Sequence, residues 1–133
     1  MGNRKCVLLI LAITTTLMPF GCSKGYETQK SAGDLKITLS AERYPLIKGD
    51  NAMMVLMNDS AGNAVTDAVV NVRYSMPPMP GMAPMDFNTQ AVLKGDRYVY
   101  TANVPMEGEW KTEVSVTRPG KPPVSAAFNV DAR

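Results

Sequence analysis

Four methionines recur at every third position of one short segment in this 133-residue chain. They stand in a frame of four prolines and one glycine, in the order Met76-Pro-Pro-Met79-Pro-Gly-Met82-Ala-Pro-Met85. So many prolines exclude a continuous α-helix or a central strand, and the segment is therefore predicted to be an extended or turning loop. The methionine thioether is both a flexible apolar group and a soft metal ligand, so the loop either packs against apolar surface or binds an ion such as Cu(I).

The spacing limits how such an ion could be held. In a polyproline II conformation all four side chains share one face, but consecutive methionines are then about 9 Å apart along the axis. Pro80-Gly81 suits a type II turn, in which proline takes the second position and glycine supplies a positive φ at the third. A bend there would bring Met79 and Met82 together, and Met76 or Met85 would supply a third ligand. Such a thioether site would bind Cu(I) or Ag(I) weakly and with little pH dependence.

Apolar packing is the alternative for the same residues. Methionine adapts to irregular apolar surfaces, so the loop could cap an open end of the fold or present an apolar patch to a partner protein. Residue chemistry alone leaves both possibilities open and slightly favours packing, because apolar loops usually pack. Among the other methionines, alternation is expected to bury some of Met53, Met54 and Met57, and the buried ones are predicted to fill the core. Met106 could join a metal site only if the fold brings it close.

Composition excludes several classes of function. The chain has no histidine, which removes the usual general base, the Ser-His-Asp triad and most zinc sites. No paired carboxylates replace it, so the chain is not predicted to be an enzyme. Removal of residues 1–21 would leave 12 of the 14 basic residues against 12 acidic ones, a net charge of zero. A neutral domain has no electrostatic case for binding nucleic acid.

The N-terminus predicts export and a lipid anchor. Arg4 and Lys5 precede an apolar run that ends before Gly21-Cys22, and this run is shorter than the roughly 20 residues of a transmembrane helix. Gly21-Cys22 resembles the end of a bacterial lipobox, so residues 1–21 are predicted to be a lipoprotein signal peptide and Cys22 the lipid attachment site. An ordinary secreted or uncleaved product is the alternative. The protein is thus expected in the cell envelope, anchored to a membrane and facing the periplasm or the exterior.

A polar tether and a domain of strands are predicted to follow. Residues 22–34 are polar and small, which is typical of a flexible tether. Apolar and polar residues then alternate or cluster in strand-like segments at 35–40, 53–57, 69–74, 88–93, 98–103, 110–116 and 124–130. About seven short strands separated by turns indicate an immunoglobulin-like antiparallel β-sandwich over residues 35–133, without a disulfide, and a barrel is the alternative. Trp110, the only tryptophan, is predicted to anchor the core.

The order of motifs in this domain resembles that of a known family. A strand enters the methionine loop at Val72-Arg-Tyr-Ser-Met76-Pro, and Lys94-Gly-Asp-Arg-Tyr98 and Val104-Pro-Met-Glu-Gly108-Glu-Trp110 follow. Over residues 35–130 this order is similar to that of the YtkA-like or FixH-like domains of bacterial envelope proteins. Those domains have a Met-Pro-x-Met loop, a Gly-x-Tyr hairpin and a Met-x-Gly-x-Trp turn.

The resemblance implies an immunoglobulin-like sandwich in the periplasm or on the cell surface. Such domains are often found beside copper or heavy-metal efflux components, or beside pumps that supply copper to a terminal oxidase. This tips the balance toward a Cu(I)- or Ag(I)-binding lipoprotein, with a metal-efflux or oxidase-assembly protein as the implied partner. A structural or protein-interaction lipoprotein, whose methionine loop packs against the fold or a partner, is the alternative.

Overall fold

The computed structural model describes residues 25–133. The signal peptide predicted for residues 1–21 and the lipid attachment site predicted at Cys22 lie outside them. Along the described part of the chain the strands are β1 (Tyr26–Ala32), β2 (Leu35–Ala41), β3 (Gly49–Asn58), β4 (Val69–Met76), β5 (Met85–Gln90), β6 (Val92–Lys94), β7 (Arg97–Val104), β8 (Gly108–Thr117) and β9 (Val124–Ala132). Within residues 25–133, no helix is long and apolar enough to cross a membrane.

The strands form two sheets in which every pairing is antiparallel. One sheet has the order β1-β2-β3-β7-β6 and the other the order β5-β4-β8-β9. The order β2-β3-β7-β6 in one sheet and β4-β8-β9 in the other is the strand arrangement of the immunoglobulin fold. β1 and β5 extend the two sheets at their edges. The predicted antiparallel β-sandwich is confirmed.

The core lies between the sheets and is built from alternate residues of the strands. On β3, Met53 and Met57 are 1% and 0% exposed, so they fill the core as predicted, whereas Met54 between them is half-buried on the outer face. Trp110 is 1% exposed and anchors the opposite sheet, again as predicted. Alternation of this kind gives each strand one face toward the core and one toward water.

The structure has nine strands where the sequence predicts about seven. The single candidate strand at residues 88–93 is divided between β5 and β6, which belong to different sheets. Ala91 is the buried residue at the crossing, and its N–H donates to the Val70 carbonyl at 2.9 Å. A single candidate strand in the sequence therefore carries the chain from one sheet to the other, which periodicity alone does not reveal.

The other additional strand, β1, corrects the predicted tether. From Tyr26 onward the flexible tether predicted for residues 22–34 was wrong, because Tyr26–Ala32 pairs along its whole length with β2. Only Ala32 of this strand is buried, since β1 is an edge strand with both faces largely in water. Tyr26 also stacks on Tyr44 at 4.3 Å between ring centroids, and its hydroxyl donates to the Asn129 carbonyl at 3.1 Å.

An ion pair joins the β1–β2 turn to the loop after β8. The Arg118 side chain is 8% exposed and donates to Asp34, and Lys121 donates to the same carboxylate at 3.2 Å. These hydrogen bonds favour the charged carboxylate and hold the pKa of Asp34 at about 2, below its ordinary value of 3.8. The pair closes the end of the sandwich opposite the methionine loop.

The lowered pKa of Asp34 makes folding stability depend on pH. Its contribution is complete above the ordinary value of 3.8 and is lost as the pH falls toward about 2, because the unfolded chain takes up the proton first. We expect the melting temperature of the wild type to fall more steeply across this range than that of Asp34→Asn, measured by circular dichroism. Asp96→Asn, at an exposed pair with its neighbour Arg97, is the control for the loss of one negative charge. Parallel slopes for wild type and Asp34→Asn would contradict this account.

Candidate metal centre

The methionine loop is the connection of the β4–β5 hairpin. Met76 is the last residue of β4 and Met85 the first of β5, and the two are directly paired at the open end of the ladder. Directly paired residues on antiparallel strands have Cβ atoms about 5 Å apart. The hairpin therefore makes neighbours of the two outer methionines, which an extended loop would keep far apart.

A turn makes neighbours of the two inner methionines. The Met82 N–H donates to the Met79 carbonyl at 3.1 Å, and Gly81 has a φ of 80°. With Pro80 at the second position, these are the features of the type II turn predicted at Pro80-Gly81. Its end residues lie within about 7 Å of each other between Cα atoms. The predicted bend is confirmed.

All four loop methionines line one small cavity. The cavity measures about 10 Å³, and its lining residues are Met76, Pro77, Met79, Met82, Ala83 and Met85. A space of this size holds about one water molecule, which is the scale of a single ion. The fold thus places the whole set of predicted site residues along the walls of one small cavity. Met106 is half-buried against the core and is not among the lining residues.

The four methionines differ in how firmly they are held. Met76 is 5% exposed and Met85 is half-buried against the core, and we refer to them as the anchored pair. Met79 and Met82 are 43% and 40% exposed, and we refer to them as the exposed pair. Apolar packing therefore accounts for Met76, but it leaves the exposed pair without a structural reason for being methionine.

Glycine at position 108 makes room for Met76. A Cβ added to Gly108 would lie 2.9 Å from the Met76 Cε, and the φ of Gly108 is 134°. Two residues later, the Trp110 Nε1–H donates to the Met106 carbonyl at 3.1 Å and closes the turn that precedes β8. The Met-x-Gly-x-Trp motif is thus explained by backbone geometry and by the close approach of Met76.

Aromatic rings lie on the same face of the hairpin as the anchored pair. Tyr74 and Phe87 are cross-strand partners one step further along the ladder, with ring centroids 5.3 Å apart. Trp110 lies 6.2 Å from each of these rings. Sequence analysis missed Phe87 as a neighbour of the site, although its position two residues after Met85 places both on one face of β5.

The charges near the loop are paired with each other on the outer face of the hairpin. The Arg73 Nε donates to both carboxylate oxygens of Asp86, at 2.9 and 3.0 Å, and Arg73 lowers the pKa of that carboxyl. Residues 77–84 carry no charge. Within residues 25–133, no group of three or more His, Cys, Asp or Glu side chains is arranged to hold a metal ion. The candidate donors at this site are therefore neutral thioethers.

Comparison with known proteins adds a family and a fold. The sequence pattern of the YtkA-like family matches residues 29–115. FetP of uropathogenic Escherichia coli strain F11, as isolated after recombinant expression in the periplasm, superposes with a TM-score of 0.53 and 12% identity, over 81% of this chain and 95% of FetP. A copper-bound FetP variant gives a TM-score of 0.54 and 11% identity, over 81% and 97%. Identities this low show a shared fold alone. No curated protein matches the chain.

The contact between Gly108 and Met76 predicts the effect of a single methyl group. Gly108→Ala should combine backbone strain with the clash against Met76 and destabilise the fold by about 3 kcal/mol. Gly49→Ala is the matched control, because Gly49 also has a positive φ, 103°, but no atom lies within 4 Å of its added Cβ. The control should cost only about 1 kcal/mol, the strain of a positive φ without a clash. Urea unfolding measures both, and equal losses would contradict the steric role given to Met76.

Proposed function

The chain belongs to the YtkA-like family, and from this membership and the geometry of its loop we propose that it is a non-enzymatic envelope protein that binds or buffers Cu(I) or Ag(I). The observation that carries the proposal is that all four loop methionines line one cavity of ionic size. The anchored pair and the exposed pair together supply the ligands. The exposed pair, at the turn, forms the centre of the site.

Thioether chemistry selects the ion. Sulfur in methionine is neutral and polarisable, so it suits monovalent Cu(I) and Ag(I) and is a poor match for Zn²⁺ or for hard cations. Histidine, which Cu(II) prefers, is absent from the sequence. The carboxylate next to Met85 in the chain, Asp86, is already paired with Arg73, so the proposed ligands are neutral.

The exposure of the site suits exchange rather than permanent storage. An ion can reach Met79 and Met82 from water without any opening of the core, because both side chains lie on the surface. Weak, exchangeable binding of this kind fits metal efflux or copper delivery, with a metal-efflux or oxidase-assembly protein as partner. A lipid on Cys22 would hold the domain at the membrane, facing the periplasm or the exterior. The copper-bound FetP variant, which shares the fold, supports a copper-related role.

Protein interaction is the second candidate function. The exposed pair and Phe87, which is 37% exposed, place uncharged apolar side chains on one hairpin of the molecule. Methionine-rich surfaces adapt to several partners, so the same loop could dock on a protein without binding metal. The two functions differ in one respect that is easily measured, because only metal binding requires the sulfur atom.

Replacement of the four sulfurs tests the proposal. In a soluble form that begins at Ser23, Met76, Met79, Met82 and Met85 are changed together to Leu, which keeps volume and apolar character at a small cost in stability. We expect the parent to compete with a chromophoric chelator for Cu(I), and the variant to lose at least about tenfold in affinity. Met54→Leu, on the outer face of β3, is the control and should bind as the parent does. Equal competition by parent and quadruple variant would leave protein interaction as the function.

The pH profile of binding tests the chemical identity of the ligands. Thioethers carry no proton to be displaced, so the affinity for Ag(I) should change by less than about threefold between pH 5 and 8. Equilibrium competition at several pH values measures this. A fall in affinity approaching tenfold per pH unit would mean that a protonated group binds the ion, and would exclude a site made of thioethers alone.

A further inference from the structure

We infer that Met79 and Met82 are a modification site, at which oxidation of the thioethers to sulfoxides switches off soft-metal binding while leaving the fold intact. The second half of this inference rests on the proposed function. The first half rests on a property of the apo domain, namely the unequal exposure of its methionines, and is tested separately.

The methionines among the described residues fall into three classes of accessibility. Met53, Met57 and Met76 are at most 5% exposed. Three others are half-buried, namely Met54, Met85 and Met106. Met79 and Met82, at 43% and 40%, are the exposed ones. Because methionine oxidation follows access to the sulfur, the domain directs an oxidant to the two residues at the centre of its candidate metal site.

Competing targets for an oxidant are scarce in the same part of the chain. Residues 25–133 contain no cysteine, the residue that oxidants attack most readily as its thiolate. Trp110 is 1% exposed. The thioethers of the exposed pair are therefore the most accessible soft nucleophiles of the described domain.

The chemical step needs an oxygen-atom donor such as hydrogen peroxide. A lone pair on the thioether sulfur attacks one peroxide oxygen, the S–O bond forms and the O–O bond breaks. Sulfur loses two electrons and the peroxide gains them. The departing hydroxide takes the proton from the transferred oxygen and leaves as water, so one thioether and one peroxide give one sulfoxide and one water.

Because the exposed pair lies on the surface, oxidation of its thioethers acts as a switch and does not damage the fold. The turn is held by the hydrogen bond from the Met82 N–H to the Met79 carbonyl and by the backbone of Pro80-Gly81, none of which involves a sulfur atom. A polar sulfoxide on these surface side chains remains in water. The same oxygen on Met53 or Met57 would be buried in the core and would destabilise it.

Oxidation also removes the donors that a soft ion needs. In a sulfoxide one sulfur lone pair is used in the S–O bond, the sulfur becomes a poorer donor and the oxygen is hard, so the cavity retains only two intact thioethers, those of the anchored pair. The coupling is reciprocal, because an ion that binds the reduced protein more tightly must also oppose its oxidation. Metal occupancy and oxidation of the exposed pair thus disfavour each other.

The first experiment measures selectivity in the full-length apo protein. Samples are treated with hydrogen peroxide, and peptide mass spectrometry follows each sulfoxide with time. Sulfoxides at Met79 and Met82 should form at least about tenfold faster than at Met53, Met57 and Met76, with an unchanged circular dichroism spectrum and melting temperature. Similar rates for the exposed and buried methionines, or unfolding that accompanies oxidation of the exposed pair, would overturn the modification site.

The second experiment measures the switch. Ag(I) competition should show at least a tenfold loss of affinity after oxidation, recovery after methionine sulfoxide reductase, and protection of Met79 and Met82 by prior loading with Ag(I). Met79→Gln with Met82→Gln, which mimics the polar sulfoxide, should bind as the oxidised protein does, whereas Met54→Gln should bind as the wild type.

The outcomes separate this inference from the proposed function. Affinity for Ag(I) that survives complete oxidation of the exposed pair would overturn the switch and leave metal binding standing. Failure of the untreated protein to bind Ag(I) would remove the proposed function together with the switch. Selective oxidation of Met79 and Met82 would then still establish the modification site in the apo domain.

Discussion

The register of β4 against its two neighbours is the constraint on which the candidate site depends. β4 is paired on one side with β5, from Asn71↔Gln90 to Met76↔Met85, and on the other side with β8. A slip of one residue would turn Val70 and Val72 out of the core, so burial fixes the register strongly. The same register places Met76 opposite Met85 and over Gly108. Core packing far from the loop thus determines where the loop begins and ends.

Once the register is fixed, few further features of the loop are needed to bring its methionines together. Once its ends are neighbours, the chain from Pro77 to Pro84 has to reverse direction, and Pro80-Gly81 supplies the turn at its middle. The prolines restrict φ along the segment, which lowers the conformational entropy that must be lost to order it. A three-residue spacing that separates methionines in an extended chain therefore brings them together when the chain folds back.

The sequence predicts those features that depend on neighbours in the chain. Alternation identifies the strands with one buried face, and Pro80-Gly81 identifies its turn, because both signals are local. β1 is not predicted from the sequence, because an edge strand with both faces in water has no apolar alternation. The contact of Gly108 with Met76 and the position of Phe87 are not predicted either, because both depend on cross-strand pairing. The sequence pattern does not reveal the long-range register, and it is this register that places the four spaced methionines around one cavity.

The proposed site is made of neutral sulfurs, and this has consequences that a charged site would not have. Its ligands offer an ion no net charge, since residues 77–84 carry no charge and Asp86 is paired with Arg73. We therefore expect affinity to come from the match of soft donor to soft ion and from the order that the hairpin imposes beforehand. The anchored pair provides that order at no further entropic cost, because Met76 is already packed on Gly108. In the proposed site the exposed pair would still have side-chain freedom to lose on closing around an ion, and we expect this loss to keep binding weak enough for the ion to leave again.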